Sequence, residues 1–179
     1  MSGQIFTEAA VNSLMKIFAL PSLLLIFTVS ALSQISLESG PKVNGLALGA
    51  TREYVIKKLG KPTRESKRAA DECVGGTEMT LQYPGLKFRL WDDSEKPSRF
   101  TVGMFEVTSA KWDVSGARVG QASTEVKKMF GAKFTTETDP KTGKTIWYYY
   151  MDEEKGPGTT NFTFRNGKLV SIFSMLLMC

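Results

Sequence analysis

Carboxylates gather at two places in this chain, Asp92-Asp93 and Asp152-Glu153-Glu154, and no other residues come closer to a catalytic constellation. A carboxylate-pair hydrolase needs two such groups facing each other across a cleft. Neighbouring acids in a turn read instead as solubilising charge, and the segment around Asp92-Asp93 lacks the spacing and the Gly of a calcium loop. No histidine occurs among the 179 residues. That removes Ser-His-Asp and Cys-His sites, most zinc sites and the commonest general base. There is no Walker loop or dinucleotide fingerprint, and Gly75-Gly76 alone is not a phosphate cradle. The expectation is a protein that is not an enzyme and holds neither cofactor nor metal.

Two further sets of side chains have chemistry to offer. Cys73 and Cys179 are the only cysteines. One bridge between them would close a loop of roughly a hundred residues, for about 4–5 kcal/mol in the chain-entropy model; two free thiols are the alternative. Trp147, Tyr148, Tyr149 and Tyr150 are consecutive, so a strand sends two of these rings to each side of its sheet. If one face is covered, the outward pair suits a protein-binding surface, because Tyr and Trp are enriched in binding hot spots. A sheet covered on both faces, or a ladder of cross-strand aromatic pairs, accounts for the same rings. Trp91 is a further candidate anchor.

The elements that position these residues follow a leader. Residues 17–29 are almost purely apolar and follow Lys16, too short for a comfortable span of about 20 residues. They fit the apolar stretch of a secretory signal, with Ala31-Leu32-Ser33 offering small residues for cleavage. Residues 1–33 are read as an N-terminal extension plus cleavable signal, with the true start at Met15. A signal kept as a membrane anchor is the alternative. Position 34 is Gln, not the Cys of a lipoprotein, so the periplasm or the medium is the expected compartment. Export permits a disulfide and argues against nucleic acid.

The chain carries 23 basic and 18 acidic residues, a net charge of +5. Much of the excess lies in Lys57, Lys58, Lys61, Arg64, Lys67 and Arg68. Such a run suits an anionic lipid or an acidic protein patch; equally, it suits a solvated helix end and loop.

A short phrase occurs twice, LGATREYVIKKLG at residues 48–60 and VGQASTEVKKMFG at residues 119–131. Gly49, Val55 and Gly60 recur as Gly120, Val126 and Gly131 at a constant offset of 71 residues. Fixed-offset similarity marks a repeat architecture. Thr51 and Ser123 read as N-caps, and Gly60 and Gly131 as helix terminators. Three strands are expected after each helix, over 79–83, 86–91 and 99–108, then over 145–151, 161–165 and 169–177. Asn166-Gly167 signals a type I′ hairpin, and residues 92–98 read as a longer turn.

The repeated pattern, followed by strands ending in Asn-Gly-Lys-Leu-Val, resembles the unit of the SmpA/OmlA (BamE) family of outer-membrane assembly proteins. Two units in tandem behind a signal resemble the architecture of the β-lactamase inhibitory protein family. The resemblance implies an α+β fold of two tandem helix-then-antiparallel-strand repeats, forming one continuous antiparallel sheet with helices on one face. The domains expected are a linker over 34–42, a first repeat over 43–110 and a second over 111–179. The other face is expected to bind a protein partner, with Trp91, Trp147, Tyr148, Tyr149 and Tyr150 as candidate anchors of which only the outward-facing members make contact. Asp92 and Asp93 fall in a region similar to where the inhibitor family presents a contact loop. The lipidated Cys of the assembly proteins is absent, and the inhibitor family carries more cysteines. The functional expectation is an exported, non-catalytic binding module in envelope assembly or scaffolding. Inhibition of a secreted hydrolase such as a β-lactamase is the alternative, and contact with a membrane through the leader or the run 57–68 a third.

Overall fold

The computed structural model describes residues 34–72, 74–93, 96–152 and 157–177. Residues 1–33, Cys73, Cys179, Glu153 and Glu154 lie outside them, and with them the disulfide and signal expectations. All described residues belong to one compact unit, Leu32–Cys179.

Eight antiparallel strands form one sheet: β1 (Arg64–Ala69), β2 (Thr77–Tyr83), β3 (Leu86–Asp93), β4 (Lys96–Val107), β5 (Thr135–Asp139), β6 (Lys144–Tyr150), β7 (Gly158–Arg165) and β8 (Lys168–Leu176). Their spatial order is β1-β2-β3-β4-β8-β7-β6-β5, so the two halves meet where β4 pairs with β8. Helix α1 (Arg52–Leu59) precedes the first four strands and α2 (Ser123–Phe130) the last four.

This corrects the α+β expectation. Among the described residues the fold is largely β: eight strands against two helices of eight residues each. Irregular chain forms most of what lies over the buried face, pinned by the isolated bridges Val43↔Val114 and Val114↔Ala117. Each half also holds four strands, not three. The missed pair, β1 and β5, are the two edges, and every residue of both is exposed. The basic run is therefore split between a helix end and a strand. Asp92 and Asp93 belong to the end of β3, not to a long loop.

Alternation builds the core. Met79, Leu81 and Tyr83 on β2, with Leu86, Phe88 and Leu90 on β3, point to one side and are buried. They join Val55 of α1, Val126 and Phe130 of α2, and Phe162, Phe164 and Ile172 of the second half. Two one-residue bulges then reverse the alternation. Arg89 faces Met104 while Leu90 faces Val102, which leaves Gly103 as the extra residue on β4. Thr163 faces Ser171 while Phe164 faces Leu169, which leaves Val170 extra on β8. A slip of one residue moves every later side chain to the other face.

The helix ends are set by local chemistry. The Tyr54 N–H donates to Thr51 Oγ1 at 3.3 Å, as the capping expectation has it. In α2 the N-cap is Ala122, one place before the expected Ser123. Lacking a side-chain acceptor there, the helix relies on Glu125, whose carboxylate accepts from the Ala122 N–H at 2.8 Å. Gly60 and Gly131 end the helices at φ 83° and 81° with extended ψ, a region open essentially to glycine alone. Asn166 and Gly167, at φ 50° and 71°, form the expected tight hairpin turn.

Candidate protein-binding face

The strands' second set of side chains points away from the covering chain. On this face Trp91 and Met104 are buried, yet they stand outside the main core cluster. The Gly103 bulge explains the first of them. A Cβ at Gly103 would lie 1.4 Å from Cζ3 of Trp91, so the indole rests directly on bare backbone. The register then sets Met104 beside Met175 and Glu106 beside Phe173 across the junction of the two halves. Together with Leu177 and with Val74 of the β1–β2 turn, these side chains line a cavity of about 390 Å³.

Ion pairs rim it. The Lys87 ammonium donates to Glu106 Oε2 at 2.8 Å. Glu78, 2 % exposed, accepts from Arg68 Nε at 2.9 Å and from Arg89 Nε at 2.7 Å. Burial by itself would raise the Glu78 carboxyl, but hydrogen bonds from Arg89 and Arg68, with their charge, outweigh it and hold the group below its ordinary value. Asp92 accepts from the Thr77 N–H at 2.9 Å and so ties the turn that carries Val74 to the sheet. Its role is to fix the groove's wall.

The four consecutive rings divide as alternation requires. Tyr148 donates to Glu137 Oε2 at 2.9 Å, a bond that raises its phenol's pKa, and Tyr150 is 64 % exposed. Through the register, both lie on the groove's side of the sheet, with Thr159 and Asn161 of β7 between. Trp147 and Tyr149 go the other way, which removes them from the expected binding set. Phe134 stacks on Trp147 with centroids 4.3 Å apart, and Phe164 lies 4.4 Å from the same ring. Tyr149 is buried between Phe130 and Phe162 and donates its O–H to the Gly131 carbonyl at 2.8 Å.

Sequence reasoning named Trp91, Tyr148 and Tyr150 but missed Met104, Phe173 and Met175. Plain alternation from Phe100 would bury Met104 in the core, and from Leu169 it would do the same to Phe173. Only the bulges turn them outward. Gly103, a glycine inside a strand pattern, was the available signal for the first.

No protein-family model and no curated protein matches the chain. Among solved structures, an extracellular protein containing a SCP domain from Bacillus anthracis str. Ames aligns at TM-score 0.43 and 17% identity. The alignment covers 72% of this chain, which spans only 43% of that one. A likeness at this level bears on neither fold nor site. Among the described residues, no helix is long and apolar enough to cross a membrane.

Proposed function

We propose that this is an exported, non-catalytic protein-binding module of the periplasm or the medium, which holds a partner protein against the face of its sheet that carries the groove. The carrying observation is the apolar groove itself, with Trp91, Met104, Phe173 and Met175 in it and Tyr150 standing proud on the same face. Aromatic and Met side chains are the types enriched at protein interfaces. The leader and the absence of histidine support export and the lack of catalysis respectively. The repeated phrase, which resembles the envelope-assembly unit, favours a partner in the cell envelope.

Pull-down from the native host's envelope and medium tests the reading. The wild-type chain is expected to retain a defined protein, and Tyr150→Ala to lose at least about tenfold in affinity, the scale of a modest hot spot. Its unfolding free energy should stay within about 0.5 kcal/mol, because the ring is mostly solvated. Full capture by both Tyr150→Ala and Met175→Ala would place the contact elsewhere. A captured hydrolase that loses activity as the protein is added would make the role inhibition.

A further inference from the structure

The charge of this molecule is sorted by layer. Segments 34–62 and 109–134, which contain both helices and the chain that covers the core, hold ten Lys and Arg against four Asp and Glu. The rest of the sequence holds thirteen against fourteen. The positive excess of the sequence therefore falls in the segments that cover the core. Eight of the ten cations are lysines, all exposed, and among the described residues none forms an ion pair with a carboxylate. Only Arg52 and Arg118 of this layer do.

Helix chemistry accounts for part of this. Lys57, Lys58, Lys127 and Lys128 occupy the last turns of α1 and α2, where cations suit the helix dipole. Lys42, Lys61, Lys111 and Lys133 lie outside the helices and have no such reason. Among the lysines stand Tyr54 and Ile35, 49% and 39% exposed, with the Lys58 ammonium 5.9 Å from the Tyr54 ring centre. Tyrosine beside lysine is the pairing that settles at headgroup level. The cations are spread over two helices and the loops between, which fits an extended surface of negative charge better than a small anion.

We propose that this covering layer docks electrostatically on an anionic lipid bilayer, leaving the groove directed away from it. The inference stands apart from the protein-binding reading, because it uses the opposite side of the sheet. Attraction of lysines to anionic lipid works over about a Debye length and is removed by salt.

Sedimentation of the full chain with phosphatidylcholine vesicles, with and without phosphatidylglycerol, tests it. Since the apolar leader could hold the chain to either, the reading is the difference between the two. The anionic vesicles are expected to retain at least about tenfold more protein near 0.1 M salt, a difference that vanishes near 1 M as the screening length shrinks from about 10 Å to about 3 Å. The variant K57Q/K58Q/K127Q/K128Q, checked for folding by circular dichroism, should lose most of it. K144Q/R165Q, on the groove side, should keep it. Equal retention on both vesicles, a difference that survives high salt, or loss in K144Q/R165Q overturns the proposal. Capture by immobilised polyphosphate but not by anionic vesicles overturns it too, by making the ligand a polymer. The salt arm decides the matter even if the fourfold variant does not fold.

Discussion

Burial pushes the Tyr149 phenol up to about 12, against about 10 in an unfolded chain. The core holds the neutral form, so the folded state keeps a proton that the unfolded state gives up. That contribution is complete below about pH 10 and falls away as pH rises toward about 12, by roughly 2–3 kcal/mol. Urea unfolding at stepped alkaline pH should show this limb. Tyr149→Phe should flatten it while losing about 1 kcal/mol at neutral pH with the bond to Gly131. Glu78 behaves in the opposite sense. Its carboxyl is lowered in the folded state, so its contribution is present above the unfolded value of about 4.3 and is lost as pH falls through the folded one. Glu78→Gln is expected to flatten the acid limb and to cost about 2 kcal/mol at neutral pH, since Arg89 loses its partner while the more exposed Arg68 is rehydrated. The sequence told that the rings at 147–150 must divide two and two. It did not tell which pair faces inward, because that depends on Phe134 and Phe162 arriving from other elements.

The two helices are the elements most legible in the sequence, because an apolar Val and a terminal Gly recur in each. Their dependence on single groups differs. Removing the hydroxyl in Thr51→Ala, or the carboxylate in Glu125→Ala, is expected to cost about 1 kcal/mol each, measured by thermal unfolding. Ala122→Ser should add a cap that α2 lacks and raise stability by about 0.5–1 kcal/mol. Equal stability of Ala122→Ser and wild type would mean that Glu125 already satisfies this helix start. Strands β1 and β5 were illegible for a physical reason. They bury nothing, so RESKRA and TTETD carry no alternation to detect, and edge strands of charged and polar residues are the kind that resist pairing with other chains. The bulged strands β4 and β8 were found, but alternation alone does not place their distal residues, because the bulges interrupt it.

At the scale of the molecule, the repeat was visible as a phrase, and each copy of it coincides with one short helix that four strands follow. The class drawn with it was wrong: two helices of eight residues are a small part beside eight strands, and chain without regular structure, which has no periodicity to read, supplies the rest of the cover. The halves share a core: Val107 of β4 meets Ile172 of β8 in the register, and both are fully buried. A fragment of residues 43–110 is therefore expected to remain unfolded by circular dichroism, whereas the whole chain unfolds in a single urea transition. A folded fragment would show that each half closes a core alone. The placement of Trp91 on Gly103 has a practical consequence. Trp112 and Trp147 lie across the sheet with the core, so replacing those two with Phe leaves one indole, flanked by the thioethers of Met104 and Met175. Its emission then becomes a built-in optical gauge of occupancy, readable before any ligand has been labelled.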